Sequence, residues 1–399
     1  MVQKLVAALV CASLLIGCER AAPTADSTEL DALLDDAVAA NRTPGVVAMV
    51  ATADGVVYER AVGLPADTVF AIASMTKPVT AVAVMQLVEA GKVDLDEPAH
   101  TYLPELATLQ VLEGGVPRPP KSPPTVRQLL THTSGFAYEI FNRDIADLVQ
   151  SGKLATLFTN TGDFLAAPLV FDPGSRFEYG ISVDWLGRLV EAVSGQSLDA
   201  YMRASIFEPL RMTDTYFNVP ADKQPRVATQ FARLPDGTLG AIPSTPTVVE
   251  FFSGGGGLYS TASDYSRFTR ALLAGGELDG RRILKADTVA LMAQNQLGDL
   301  PLSPITTMDP QVVVADLVMP GGLDAFGFGF ALNRAPLTSG RGAGTLSWAG
   351  LFNTYFWIDR EKGISAVLLT QMLPFGDPGA TELVDDFDRA VYRVYRAEP

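Results

Sequence analysis

Phe70-Ala71-Ile72-Ala73-Ser74-Met75-Thr76-Lys77-Pro78, running on into the apolar segment from Val79 to Ala90, is the stretch from which the fold is read. From Met75 to Val88 nearly every residue is apolar and helix-tolerant, on all faces of the coil and not along one stripe, which predicts a helix buried at the centre of a domain. Gly91 supplies its stop. Pro78 has no N–H to give the carbonyl of Ser74 and is tolerated only in a first turn, so the helix starts at or near Ser74. Ser74 and Lys77, three apart, then share a face about one turn apart. Along the face of Lys77 the next turns carry Ala81, Val84 and Val88. An ammonium so placed, without a carboxylate in its own helix, is predicted to lose its proton near pH ~7, where a lysine serves as a base. The serine stands at the positive end of the helix, beside unpaired backbone N–H groups.

Ser-x-x-Lys alone arises easily by accident in a chain of 399 residues; its place at the head of an apolar helix gives it weight. At 48% hydrophobic the chain can bury a large core and divide into two domains. A net charge of -15, with no basic cluster, argues against nucleic acid as a partner. Residues 1–17 have signal-peptide proportions: Lys4, then an apolar run from Leu5 to Ile16, too short to span a bilayer. Leu15-Ile16-Gly17-Cys18 resembles the lipobox of bacterial lipoproteins. Lipid attachment at Cys18, a tether over residues 18–28 and an exported lipoprotein of the bacterial cell envelope, held to a membrane by this anchor, are the expectation. An ordinary secretory signal cut near Ala22 is the alternative. Either way no thiol pair is left for a disulfide or a metal.

In chain order, Glu29 to Ala40 has helical periodicity, and Gly45 to Thr52 and Val56 to Val62 are strand-like around Asp54-Gly55, a hairpin signal. The Pro-rich stretch from Gly114 to Pro124 reads as loop. Short helices follow at Thr125 to Leu130, Asp184 to Val193 and Leu198 to Ile206. The run Gly254-Gly255-Gly256-Gly257, set between aromatic residues and a helix from Ala262 to Leu273, predicts a close backbone approach. Phe326 to Asn333, Gly344 to Trp348, Asn353 to Asp359 and Ile364 to Gln371 read as four strands before a last helix from about Thr381 to Tyr395. The expected fold class is α/β, an antiparallel sheet flanked by helices with an inserted, mostly helical domain. Residues 29–68 and 245–399 form the sheet domain, residues 69–244 the helical one, and the active site lies between them.

A reacting serine needs a second proton carrier and donors for the oxyanion. Tyr179, which follows Asp172-Pro173-Gly174 in a loop just before a helix, reads either as a packed aromatic or as that carrier. Phe70 to Lys77, Leu129 to Gly135, Pro173-Gly174 to Tyr179, Ile206 to Met212, Gly254 to Ser260 and Trp348-Ala349-Gly350, in this order, resemble the serine β-lactamase-like superfamily. The likeness is to class C β-lactamases and penicillin-binding proteins, and more closely to family VIII carboxylesterases, over residues 30 to 399. It implies a β-lactamase/transpeptidase-like fold with Ser74 as nucleophile, Lys77 as its partner and Tyr179 as proton shuttle. It also implies an oxyanion hole from the backbone N–H groups of Ser74 and Leu351, and no cofactor.

Two departures point to the esterase branch. Ile181 stands where penicillin-recognising members place an asparagine, and Trp348-Ala349-Gly350 replaces Lys-Thr-Gly, so the cation for a β-lactam carboxylate is missing. Trp348, Gly350 and Ile181 are therefore expected to line an apolar substrate site, and an Asp such as Asp184 follows the tyrosine in that branch. The expectation is a carboxylesterase cleaving small apolar acyl esters; the alternatives are a β-lactamase or D-amino-acid peptidase and, less so, a non-catalytic binding protein. His100 and His132, the two histidines, lack metal-like spacing, and no Gly-x-Ser-x-Gly elbow serves a Ser-His-Asp triad. His132 is read as a structural loop residue and no metal site is expected.

Overall fold

The computed structural model describes residues 26–159, 161–244, 246–302, 305–315 and 322–395. The expected signal segment, Cys18 and most of the tether lie outside them. Helix α1 (Thr28–Ala39) leads into a hairpin of β1 (Val46–Ala51) and β2 (Val56–Val62), as the two strand-like runs and the Asp54-Gly55 turn predict. The buried helix is α2 (Thr76–Glu89), preceded by one tight turn at Ala73–Met75. It is followed by α3 (Ser182–Ser194) and α4 (Ala262–Leu273). Then come β3 (Ala325–Phe326), β4 (Ala331–Leu332), β5 (Leu346–Gly350), β6 (Thr354–Asp359), β7 (Ile364–Leu369) and α5 (Pro378–Val394).

These strands form one seven-stranded sheet in the order β3-β4-β5-β6-β7-β1-β2, antiparallel throughout. The two ends of the chain meet where Val47 pairs with Leu369 and Met49 with Val367. On β6 every residue is buried, because alternate side chains enter two covered faces. Phe356 packs on Tyr265 of α4, while Trp357 packs on Phe387 of α5. Helix α2 is buried from Thr76 to Met85.

The structure departs from the sequence reading at three places. Val116–Arg118, inside the stretch expected to be loop, pairs as a hairpin with Val111–Glu113 just before it, because Gly114 and Gly115, both at positive φ, make its two-residue turn. The strand expected at 326–333 is two short ones joined around Gly327 and Gly329; Gly327 approaches the Met292 carbonyl too closely for a Cβ. Gln230–Arg233, counted with the helical part, forms a parallel pair with Met372–Leu373 just beyond β7.

Candidate active site

Ser74 sits in the turn at the head of α2, and Ala73 before it is held at φ 43°, a left-handed conformation that bulky residues avoid. The turn is pinned from behind: Ile72 N–H donates to the Leu258 carbonyl, Leu258 N–H to the Thr76 hydroxyl, and the Thr80 hydroxyl to the Gly254 carbonyl at 2.7 Å. The glycine run lies against the helix head, and a Cβ at Gly255 would overlap the Asp184 carboxylate. That is the close approach the four glycines predict.

Lys77 is fully buried, its Nζ within 3.1 Å of Ser74 Oγ, 3.0 Å of the Tyr138 hydroxyl and 2.7 Å of the Gly255 carbonyl. Burial pulls its pKa down to about 7, against the opposing pull of Asp184. The Tyr179 ring lies under the amine, 4.6 Å from its centroid. Its hydroxyl accepts the Trp348 indole N–H at 3.3 Å. Burial pushes the Tyr179 pKa up, although the Trp348 bond opposes it, so the phenol stays protonated.

Around this group opens a cavity of about 430 Å³, walled by Ile140, Phe141, Leu157, Phe158, Phe217, Phe251, Trp348 and Phe352. Gly350 and Leu351 lie on its edge beside Ser74. Among the described residues of the wall Asp184 is the one charged side chain, and no cation faces the cavity. Ser74, Lys77, Tyr179, Trp348, Gly350 and Leu351 are thus brought together. Ile181 is not: it is buried just ahead of α3 and does not reach the cavity wall, because the helix turns its side chain into the core. Trp348 is more than an apolar wall, since its N–H is used on Tyr179.

Tyr138 is the site residue that the sequence reading missed. It lies in an irregular segment that shares no regular spacing with Ser74, and the short Tyr138-Glu139-Ile140 run carries no local signal of its contact with Lys77. His132, at φ 56°, is buried beside Tyr179 with its Nδ1 accepting Gly180 N–H at 3.4 Å. Burial pulls its pKa well below the ordinary value, which fits the structural role expected of it.

A profile of the Beta-lactamase family matches residues 30–388. The chain belongs to the beta-lactamase family. Among its relatives, esterase EstB of Burkholderia gladioli is 32% identical over 384 residues, covering 86% of this chain and 90% of the relative. The methylbutanoyltransferase mlcH of Penicillium citrinum, which acts on ML-236A carboxylate, is 30% identical over 408 residues, covering 93% and 96%. Unliganded simvastatin synthase LovD of Aspergillus terreus superposes with a TM-score of 0.77 at 28% identity, over 94% of this chain and all of that one. The fold is therefore β-lactamase/transpeptidase-like, and this beta-lactamase family member stands among serine hydrolases that include ester-cleaving and acyl-transferring relatives.

Proposed function

We propose that the protein is a serine carboxylesterase that cleaves uncharged, apolar acyl esters through an acyl-enzyme on Ser74. The observation that carries this reading is a buried amine with a pKa of about 7 held against Ser74 Oγ, at the floor of a cavity lined by aromatic side chains and free of cations among the described residues. The two titratable partners are driven apart, Lys77 toward the free base and Tyr179 toward the protonated acid, which supports Lys77 as the base and Tyr179 as the acid.

Lys77 takes the Ser74 proton as Oγ bonds to the ester carbonyl carbon. The oxyanion is met by the N–H groups of Ser74 and Leu351. The ester C–O bond then breaks, and the departing alkoxide takes the Tyr179 proton. In the second half water gives a proton to Tyr179 and attacks the acyl carbon; Ser74 Oγ leaves and recovers its proton from Lys77. An alcohol in the place of water would carry off the acyl group by the same steps, a second reading favoured by mlcH.

Ser74→Ala should reduce p-nitrophenyl butyrate hydrolysis by at least ~10⁴-fold and abolish fluorophosphonate labelling, with the melting temperature little changed. A Ser74→Ala variant that keeps a tenth of the activity would reject the assignment. Nitrocefin in parallel, and added alcohol as acceptor, separate the β-lactamase and acyl-transfer alternatives.

A further inference from the structure

The cavity wall is largely aromatic, yet it carries polar side chains, and several of these are already in use. Ser74 and Tyr138 are bonded to Lys77, Tyr179 to Trp348, and Ser253 to Asp184. Gln230 and Tyr259 line the same wall, partly buried, and their side chains hydrogen-bond to no described residue. The amide has two N–H donors and a carbonyl acceptor to offer; the phenol has one donor, which burial keeps in place by raising its pKa.

Both residues are tied to the segment that leads into the nucleophile. Tyr259 pairs with Ala71 across the strands Phe70–Ala71 and Tyr259–Ser260, so its side chain shares a face with that of Ala71, which itself lines the cavity three residues before Ser74. Gln230 opens the strand Gln230–Arg233, and Arg233, on the other face of that strand, turns away to Asp377. Gln371 joins the two segments. Its carbonyl accepts Phe231 N–H at 2.9 Å, and its side-chain oxygen accepts Ala71 N–H at 2.9 Å. Tyr179, the proposed proton donor to the departing oxygen, packs instead among His132, Tyr138, Phe141 and Trp348, a group that contains neither Gln230 nor Tyr259. The alcohol therefore leaves on the Tyr179 side, and the acyl chain takes the side of Ala71.

We propose that Gln230 and Tyr259 form a polar subsite that selects acyl chains carrying one uncharged oxygen, a ketone or a hydroxyl, a few carbons from the ester. The inference rests on the esterase reading and adds the class of acyl group to it. A plain alkyl chain lying over the two side chains strips their water and gives no bond in return, whereas an oxygen on the chain restores the bonds. A carboxylate is not that group, since no cation faces the cavity among the described residues of its wall.

The probes are p-nitrophenyl esters in two pairs of equal chain length, pentanoate against 4-oxopentanoate and heptanoate against 6-oxoheptanoate. The quantity read is the ratio of kcat/KM, oxo ester over plain ester, in the native protein, in Gln230→Leu, in Tyr259→Phe and in the double variant. Comparing this ratio between proteins cancels the intrinsic reactivity of the esters. For at least one pair each single variant should lower the ratio by about 3 to 10-fold, and the double variant by about 10-fold or more. Gln230→Leu should also speed the plain ester, because an apolar wall replaces an amide that the chain leaves unpaired. Losses shared equally by oxo and plain esters, with both ratios as in the native protein, would show that the two side chains only support the fold and would overturn the proposal. If Gln230→Leu does not fold, Tyr259→Phe still decides by its own ratio. Failure of the native protein to turn over any of these esters or to take a fluorophosphonate label removes the esterase reading and this inference with it; turnover with ratios equal in all proteins removes the inference alone.

Discussion

Lys77 carries both the chemistry and a cost. Moving its pKa from about 10.4 in an unfolded chain to about 7 in the fold is worth up to about 4 to 5 kcal/mol of destabilisation wherever the unfolded lysine is charged. The sign follows from proton counts. Between pH ~7 and ~10 the unfolded chain binds a proton that the folded one does not, so stability gains with rising pH across this window from this residue. Below ~7 both states are charged and the penalty is complete. Lys77→Met removes the titration, so the stability of the native protein relative to the variant, measured by urea unfolding, should rise from pH 7 to pH 10. A difference that stays flat across that range would mean that the buried amine is not held near neutrality. In catalysis the same pKa sets the acid limb: kcat should climb with pH through about 7 as the free base forms. Much of this was legible in the sequence, because Ser74, Lys77 and Pro78 lie within one turn and the apolar face of Lys77 is local. Tyr138 was not, since its contact with the amine crosses 61 positions and no residue beside it marks the partner. Asp184 was visible as a residue but not as the acceptor of the Ser253 hydroxyl and the Gly255 N–H.

At the scale of elements the site is a junction of a helix head, a glycine loop and a strand end. The strand end is β5, where Gly350 has no space for a side chain: a Cβ would overlap the Ile72 carbonyl and the Thr354 hydroxyl. Ile72 immediately precedes the turn that holds Ser74, so the missing Cβ lets β5 lie directly against that turn, where the proposed oxyanion donor Leu351 follows Gly350. Gly350→Ala should therefore separate β5 from that turn, lowering kcat by about 10² to 10³-fold as an oxyanion donor is displaced. The stability loss should be about 1 to 3 kcal/mol, the usual cost of overpacking. Thermal melts beside kcat check both halves; a stability loss with full activity would show that the Leu351 amide does not serve the oxyanion. The long elements were predictable because their patterns are strong: the expected ranges at Val56–Val62 and Ala262–Leu273 are those found. The hairpin at Val111–Arg118 was obscured by the prolines that follow its turn. The break between β3 and β4 depends on where the Met292 carbonyl lies, a fact outside the segment itself.

For the whole molecule, the meeting of the two chain ends in one sheet sets a large aromatic cavity beside a small reactive centre. The cavity, at about 430 Å³, exceeds what a short acyl group fills, so the side chains at its two ends should have different duties. Trp348 is nearly buried, stands edge-on to Tyr179 with ring centroids 5.1 Å apart, and gives that tyrosine its N–H. Phe158 lines the same cavity but is 51% exposed, and its side chain takes no part in the hydrogen bonds of Lys77 and Tyr179. Trp348→Ala should thus lower kcat/KM for p-nitrophenyl acetate and p-nitrophenyl octanoate alike, because Tyr179 loses the donor that directs its own proton to the leaving oxygen. Phe158→Ala should leave acetate nearly unaffected. On octanoate it should cost about 1 to 2 kcal/mol, or roughly 5 to 30-fold in kcat/KM, the value of the apolar area the ring covers when a long chain lies against it. The measurement is kcat/KM for both esters on the native protein and the two variants. If Trp348→Ala spared acetate, the indole would be a selective wall and its bond to Tyr179 idle; if Phe158→Ala harmed both esters equally, the ring would be holding the loop and not the substrate.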